Sequence, residues 1–204
     1  MRYSDTVITR ALMVYYKGMN VKDIVDCFGQ KEIEVSYRAI YGWIEKYSTM
    51  VSTYLNGIVP KVGDWFKADE VWIKVNGKQN YLFASMDDDT RYWLASDIAE
   101  TKFQHNAYNL LQLIKLQAGK NPRNFITDGL PDYQKSSKKV FGKKTNHVKH
   151  IHLTGKRDRD NNKMERLNGE IRDREKVFKG LKKRDTPIRE GMKAYYNFTK
   201  KHSS

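Results

Sequence analysis

A single cysteine, Cys27, stands in the whole chain. That excludes an intramolecular disulfide and any zinc site built on cysteines. No apolar run approaches the roughly 18 residues that read as a membrane-spanning helix. The opening Met1-Arg2-Tyr3-Ser4-Asp5 lacks the apolar stretch of a secretory signal. Internal repeats and low-complexity tracts are missing too. These absences predict a soluble, cytoplasmic protein with no membrane partner. Acids are also in short supply: 24 Asp and Glu face 38 Lys and Arg, for a net charge of +14 and a pI near 9.7. A polyanionic partner is the expectation for such a chain.

The positive charge is concentrated. From Gln134 to Arg184 the chain carries 18 Lys/Arg against 6 Asp/Glu, which is +12 of the total +14. A basic surface needed only for solubility has no reason to gather in one quarter of the chain. The bland alternative is a solvated, charged helix face.

Hydrophobic periodicity divides the 204 residues into a small helical module and a larger mixed one. Ser4 or Asp5 can cap a first helix with apolar Val7, Ile8, Ala11, Leu12 and Tyr15, closed by Gly18. Asn20 caps a second with Val21, Ile24, Val25 and Phe28, broken by Gly29. Ser36 caps a third with Ile40, Trp43, Ile44 and Tyr47 on one side and Tyr37, Arg38 and Tyr41 on another. Three such helices suit a helix-turn-helix that sets its last helix in the major groove. A structural or dimerising bundle has the same periodicity, and the Gly29–Val35 connection is longer than the usual turn. Ser48 to Asp64, with Gly57, Pro60 and Gly63, reads as connecting chain. The expected boundaries are therefore 1–50 for the DNA-binding module, 51–64 for the linker and 65–204 for the second domain.

Beyond the linker the period changes to two. Strands are expected over Trp65–Val75, Asn80–Met86 and Arg91–Ile98, with Asn76-Gly77 as a hairpin turn. A helix follows over Thr101–Ala118, then a short buried strand over Asn124–Thr127, parallel to the first. A helix or turn from Pro131, a strand over His147–Leu153, and helices over Asn161–Gly180 and Ile188–Lys200 complete the pattern. This is an α/β arrangement: a mixed five-stranded sheet with helices on its faces.

Three acids stand out against this frame. Asp69 is central in the first strand, Asp128 ends the short parallel strand before Gly129, and Glu165 lies on the charged helix 37 positions later. Acids beside buried strands are costly unless something pairs with them. Mg²⁺ prefers carboxylate oxygens and water, and two ions roughly 3.5–4 Å apart can serve the attacking and leaving oxygens of one displacement. Glu70 is expected on the opposite strand face, solvated or salt-bridged. Asp87-Asp88-Asp89 is read as turn chemistry before Thr90. His147, His150 and His152 lack partners for zinc, which leaves phosphate contact or a solvated edge. Arg172, seven residues after Glu165, shares its helix face, as does Gly169, and Asn161 or Asn162 can cap the helix. Lys163, Arg166, Arg172 and Arg174 are the candidate phosphate contacts of the basic segment.

Taken together, these motifs resemble the DDE transposases of prokaryotic insertion sequences. Trp65-Phe-Lys-Ala-Asp69-Glu70-Val-Trp-Ile-Lys-Val-Asn-Gly77 resembles the strand and hairpin of the family's first Asp. Ile126-Thr-Asp128-Gly129 with Tyr133 resembles its second, and Asn162-Lys-Met-Glu165-Arg166-Leu-Asn-Gly-Glu-Ile-Arg172 its Glu helix. The resemblance implies a ribonuclease-H-like, integrase-type catalytic core behind an N-terminal helix-turn-helix. It implies catalysis by Asp69, Asp128 and Glu165 holding two Mg²⁺ ions, with Mn²⁺ as a substitute. Water would cleave the end of the insertion sequence, and the freed 3′-hydroxyl would attack target DNA. Transposon ends and target DNA are the implied partners, with at least a homodimer in the synaptic complex and association with the nucleoid. Chains of this kind usually run on past the Ala194-Tyr-Tyr-Asn-Phe198 helix, whereas this one stops at His202-Ser203-Ser204. That fits a compact enzyme or a truncated one. The rival reading is a catalytically inactive transposase that binds terminal repeats as a repressor. A resolvase or repair nuclease accounts less well for the N-terminal helices.

Overall fold

The structure, a computed structural model, describes residues 3–149 and 162–202. Two compact units make it up: Met1–Ile58 with Asp173–Ser204, and Val59–Arg172.

The first unit starts with three helices, α1 (Asp5–Lys17), α2 (Val21–Gly29) and α3 (Tyr37–Asn56). Each sequence-predicted cap is in place. Ser4, Asn20 and Ser36 accept backbone N–H bonds from Val7, Asp23 and Ala39, which satisfies donors that a helix start leaves open. Ala11, Tyr15, Ile24, Phe28, Ile40 and Ile44 form the core of this unit. The third helix runs nine residues beyond the expected Tyr47, because Ser48 is buried and meets the Tyr16 hydroxyl. The first part of the expected linker, residues 51–56, is therefore helix.

The second unit is a five-stranded sheet of order β3-β2-β1-β4-β5. Its strands are β1 (Trp65–Val75), β2 (Lys78–Asp87), β3 (Trp93–Ala99), β4 (Asn124–Thr127) and β5 (Asn146–Lys149). Asn76 and Gly77 both take positive φ, the geometry of a two-residue hairpin turn, and set Val75 opposite Lys78. The first three strands are antiparallel, while β4 runs parallel to both β1 and β5. Helices α4 (Gln104–Ala118) and α5 (Pro131–Val140) cover one face. Their Leu110, Leu111, Ile114 and Tyr133 close on Phe66, Ala68, Phe83 and Phe125. Helix α6 (Asn162–Phe178) contributes the buried Met164, Leu167 and Ile171 to this unit and continues into the first. The last helix, α7 (Pro187–Phe198), packs on α1 and α3 in the first unit. Among the described residues no helix is long and apolar enough to cross a membrane.

Candidate active site

Register explains why acids gather where they do. Strand β4 pairs with β1 only from Trp65 to Lys67 and ends at Thr127, whereas β1 runs on to Val75. Just beyond the paired stretch, after Ala68 on β1 and Thr127 on β4, come Asp69 and Glu70 on one strand and Asp128 on the other. Ligand oxygens from these three carboxylates lie within 4.8 Å of one another. Gly129, with φ of 98°, lets the chain turn sharply there, in a conformation that disfavours a side chain. The Asp128 carboxylate accepts the Leu130 N–H at 3.2 Å.

The two β1 acids differ in support. Asp69 is half-buried, with Oδ1 accepting the Glu70 N–H at 2.8 Å and Oδ2 the Asn168 amide at 2.8 Å. Burial raises its pKa above the ordinary carboxylate value, and the nearby Asp128 adds to the shift. The Glu70 side chain has no exposure and pairs with Lys102 at 3.4 Å. Burial raises its pKa as well, again with Asp128 contributing. The expected salt bridge is thus present, but Glu70 is enclosed instead of solvated, and it reaches the other two acids. Alternation along a strand separates Asp69 from Glu70 by face. The end of β4 is where both faces become accessible to one residue.

Glu165 is exposed in the first turn of α6 and is not among the three clustered acids. Its place relative to the cluster is marked by Asn168, three residues on and so on the same helix face, which holds Asp69. Lys163 turns inward to Asp88, at 3.2 Å to Oδ1 and 2.6 Å to the backbone oxygen. Asp88 also pairs with the buried Lys67 at 3.0 Å. Asp87 accepts both the N–H and the hydroxyl of Thr90, the turn chemistry read from the sequence.

Among the remaining candidates, Arg166 and Arg172 are exposed on α6, and Tyr37, Arg38 and Tyr41 on α3. Arg174 requires a correction. It is 8 % exposed, its guanidinium stacks on Tyr15 and Phe178, and it donates to the Tyr15 carbonyl near the end of α1. It is a helix-capping cation in the core of the first unit, not a phosphate contact. His147 is half-buried: its ring stacks on Phe125 and meets the Thr127 hydroxyl at 3.0 Å. Burial lowers its pKa to about 4. His150, His152 and Asn161 lie outside the described residues.

The sequence reading missed Glu70, Asn168 and Lys102 as neighbours of the site. Only Asn168 left a signal, its helical spacing from Glu165. A hard divalent cation fits this donor set: clustered carboxylate oxygens, with Glu70 Oε1 and Asn168 Oδ1 buried and making no hydrogen bond among the described residues.

A family model described as a DDE domain, of the IS240 type, matches residues 63–202. The chain is similar to the transposase of the insertion sequence-like element IS431mec of Staphylococcus aureus, 25% identical over 141 residues. It is equally similar to the transposase of IS257 in transposon Tn4003 from the same species, 25% identical over 141 residues. In both cases the alignment takes in 69% of this chain and 62% of the relative, so the chain spans less than two thirds of these curated relatives. Among solved structures, the HTLV-2 integrase catalytic core domain in complex with magnesium is 16% identical with a TM-score of 0.42, over 65% of this chain and 84% of that one. A chain of the simian T-cell lymphotropic virus intasome in complex with PP2A regulatory subunit B56 gamma is 17% identical with a TM-score of 0.43, over 53% and 40%. The strand–helix frame, the acids at the end of β4 and the match over residues 63–202 lead to one conclusion: the chain belongs to the DDE domain family of insertion-sequence transposases.

Proposed function

We propose that this chain binds the terminal repeats of an insertion sequence and catalyses metal-dependent strand cleavage and strand transfer there. The observation that carries the reading is the meeting of Asp69 and Asp128 within 4.8 Å in a DDE domain. Asp69, Asp128 and Glu165 are the residues that would hold Mg²⁺, or Mn²⁺ in its place. When bound, the ion supplies charge stabilisation on the phosphoryl oxygens and a more acidic attacking water. Asn168 keeps one Asp69 oxygen aimed by its 2.8 Å hydrogen bond. Arg166 and Arg172, exposed on α6, meet the DNA backbone. In this reading Tyr37, Arg38 and Tyr41 on α3 read the end sequence, with the DNA-reading module inside residues 1–50 and the catalytic one inside 65–204. Bringing two transposon ends together calls for a homodimer or larger assembly, and the DNA partner places the protein at the nucleoid.

The test is incubation with DNA bearing the insertion sequence's own flanking repeats, with Mg²⁺ or Mn²⁺. Cleavage at the repeat ends is expected, lost in Asp69→Asn while DNA binding persists. Arg38→Ala should lower the preference for end DNA over scrambled DNA by about 1–3 kcal/mol. A wild-type protein that binds the repeats but never cuts them, with either ion, sinks the catalytic reading and leaves a repressor.

A further inference from the structure

We propose that Glu70 is itself a metal ligand, joining Asp69 and Asp128 around a divalent cation at the end of β4. This rests on the metal-dependent reading above and extends its ligand set. Strand alternation alone would make Glu70 a structural residue on the far face, and three observations argue otherwise. Its carboxylate comes within 4.8 Å of the other two acids, because β1 outruns β4 and Asp128 sits at the exposed edge between the faces. Its side chain has no exposure, yet its only ion pair among the described residues is to Lys102 at 3.4 Å, and Lys102 is itself 38% exposed. Glu70 Oε1 is buried and makes no hydrogen bond of ordinary geometry among the described residues. A buried ionised carboxylate needs full compensation, and one partly exposed ammonium with the Tyr133 hydroxyl beside it leaves part of that demand unmet.

A further observation comes from the opposite side. The Tyr133 hydroxyl, fully buried on α5, faces the Glu70 carboxylate and makes no hydrogen bond of ordinary geometry. Deep in an apolar core, that hydroxyl is an O–H donor held beside anionic oxygens, suited to orient a ligating carboxylate from behind. Lys102 then has a definite role. Its ammonium sits beside Glu70 as a counter-charge that a divalent ion can replace, swinging toward solvent over the Tyr81 ring it already touches.

The experiment is Mn²⁺ binding to the full chain by calorimetry, with circular dichroism to check the fold. Glu70→Gln keeps the shape and the Tyr133 contact, and should weaken Mn²⁺ binding about ten-fold or more. The same substitution is repeated in a Lys102→Met background. A ligand's loss persists there, whereas the loss of a merely structural ion pair vanishes once Lys102 is gone. Glu70→Gln binding Mn²⁺ like the wild type, or losing affinity only when Lys102 is present, overturns the inference. Asp69→Asn serves as the separate control. If that variant also binds Mn²⁺ like the wild type, the metal reading of the site fails as a whole.

Discussion

Replacing Asp69 by Asn should make the protein more stable without metal and less stable with it. Asp69 and Glu70 carry ligand oxygens within 4.8 Å of each other. At an effective dielectric of about 20, two unit charges at that distance repel by about 3.5 kcal/mol. Lys102 at 3.4 Å from Glu70, the hydrogen bond from Asn168 and proton uptake offset most of this. A net gain on the order of 1 kcal/mol remains for the neutral variant, about 2–4 °C in Tm for a chain of this size. The pH dependence has a definite sign. Asp69 and Glu70 are both raised by burial, so their charge opposes folding above the raised pKa values and ceases to do so below the unfolded ones. The advantage of Asp69→Asn in EDTA should therefore shrink as the pH falls from neutral toward about 4. With Mn²⁺ at about 100 times its Kd the wild type gains about 2.7 kcal/mol, which the variant lacks, and the order reverses. Thermal melts of both proteins, with EDTA and with Mn²⁺ at several pH values, measure this directly. A variant less stable than wild type in EDTA, or one with an equal Mn²⁺ shift, refutes the reasoning.

Arg172→Ala should reduce the slope of log K against log salt for duplex DNA by about 0.9, whereas Arg174→Ala should leave the slope unchanged and lower stability. Binding titrations at several salt concentrations, with melts of both variants, separate the exposed cation from the buried one. Gly191→Ala should destabilise despite a helix preference worth about 0.5–1 kcal/mol in favour of Ala. Its new methyl would lie 2.1 Å from the Tyr16 hydroxyl oxygen and 2.7 Å from Ser48 Oγ, an overpacking cost of about 1–3 kcal/mol. Urea denaturation decides the sign. His147→Phe keeps the stack on Phe125 and removes a group whose pKa is lowered to about 4 by burial. Neutral His147 stabilises fully above about pH 6.5 and loses that contribution as pH falls toward 4, so the variant's stability should decline less across that window.

Much of this protein could be read before any coordinates. The caps at Ser4, Asn20 and Ser36, the Asn76-Gly77 hairpin and the change of period after Trp65 are local features, set by backbone geometry and side chains a few residues apart. Asp69 and Asp128 announced themselves because acids beside apolar strands are rare and costly. What sequence could not reveal depends on distant partners. Helix α3 outlasts its own weak signal because Tyr16 meets its buried Ser48 and α7 packs along it. Arg174 looks like any cation of a basic segment until Tyr15 and Phe178 enclose it. Glu70 belongs with Asp69 and Asp128 only because β4 stops short of β1, a matter of register between strands some fifty residues apart. Local chemistry names the elements and the acids; the tertiary structure decides which side chains share the same few cubic ångströms, because only there do burial and charge become collective.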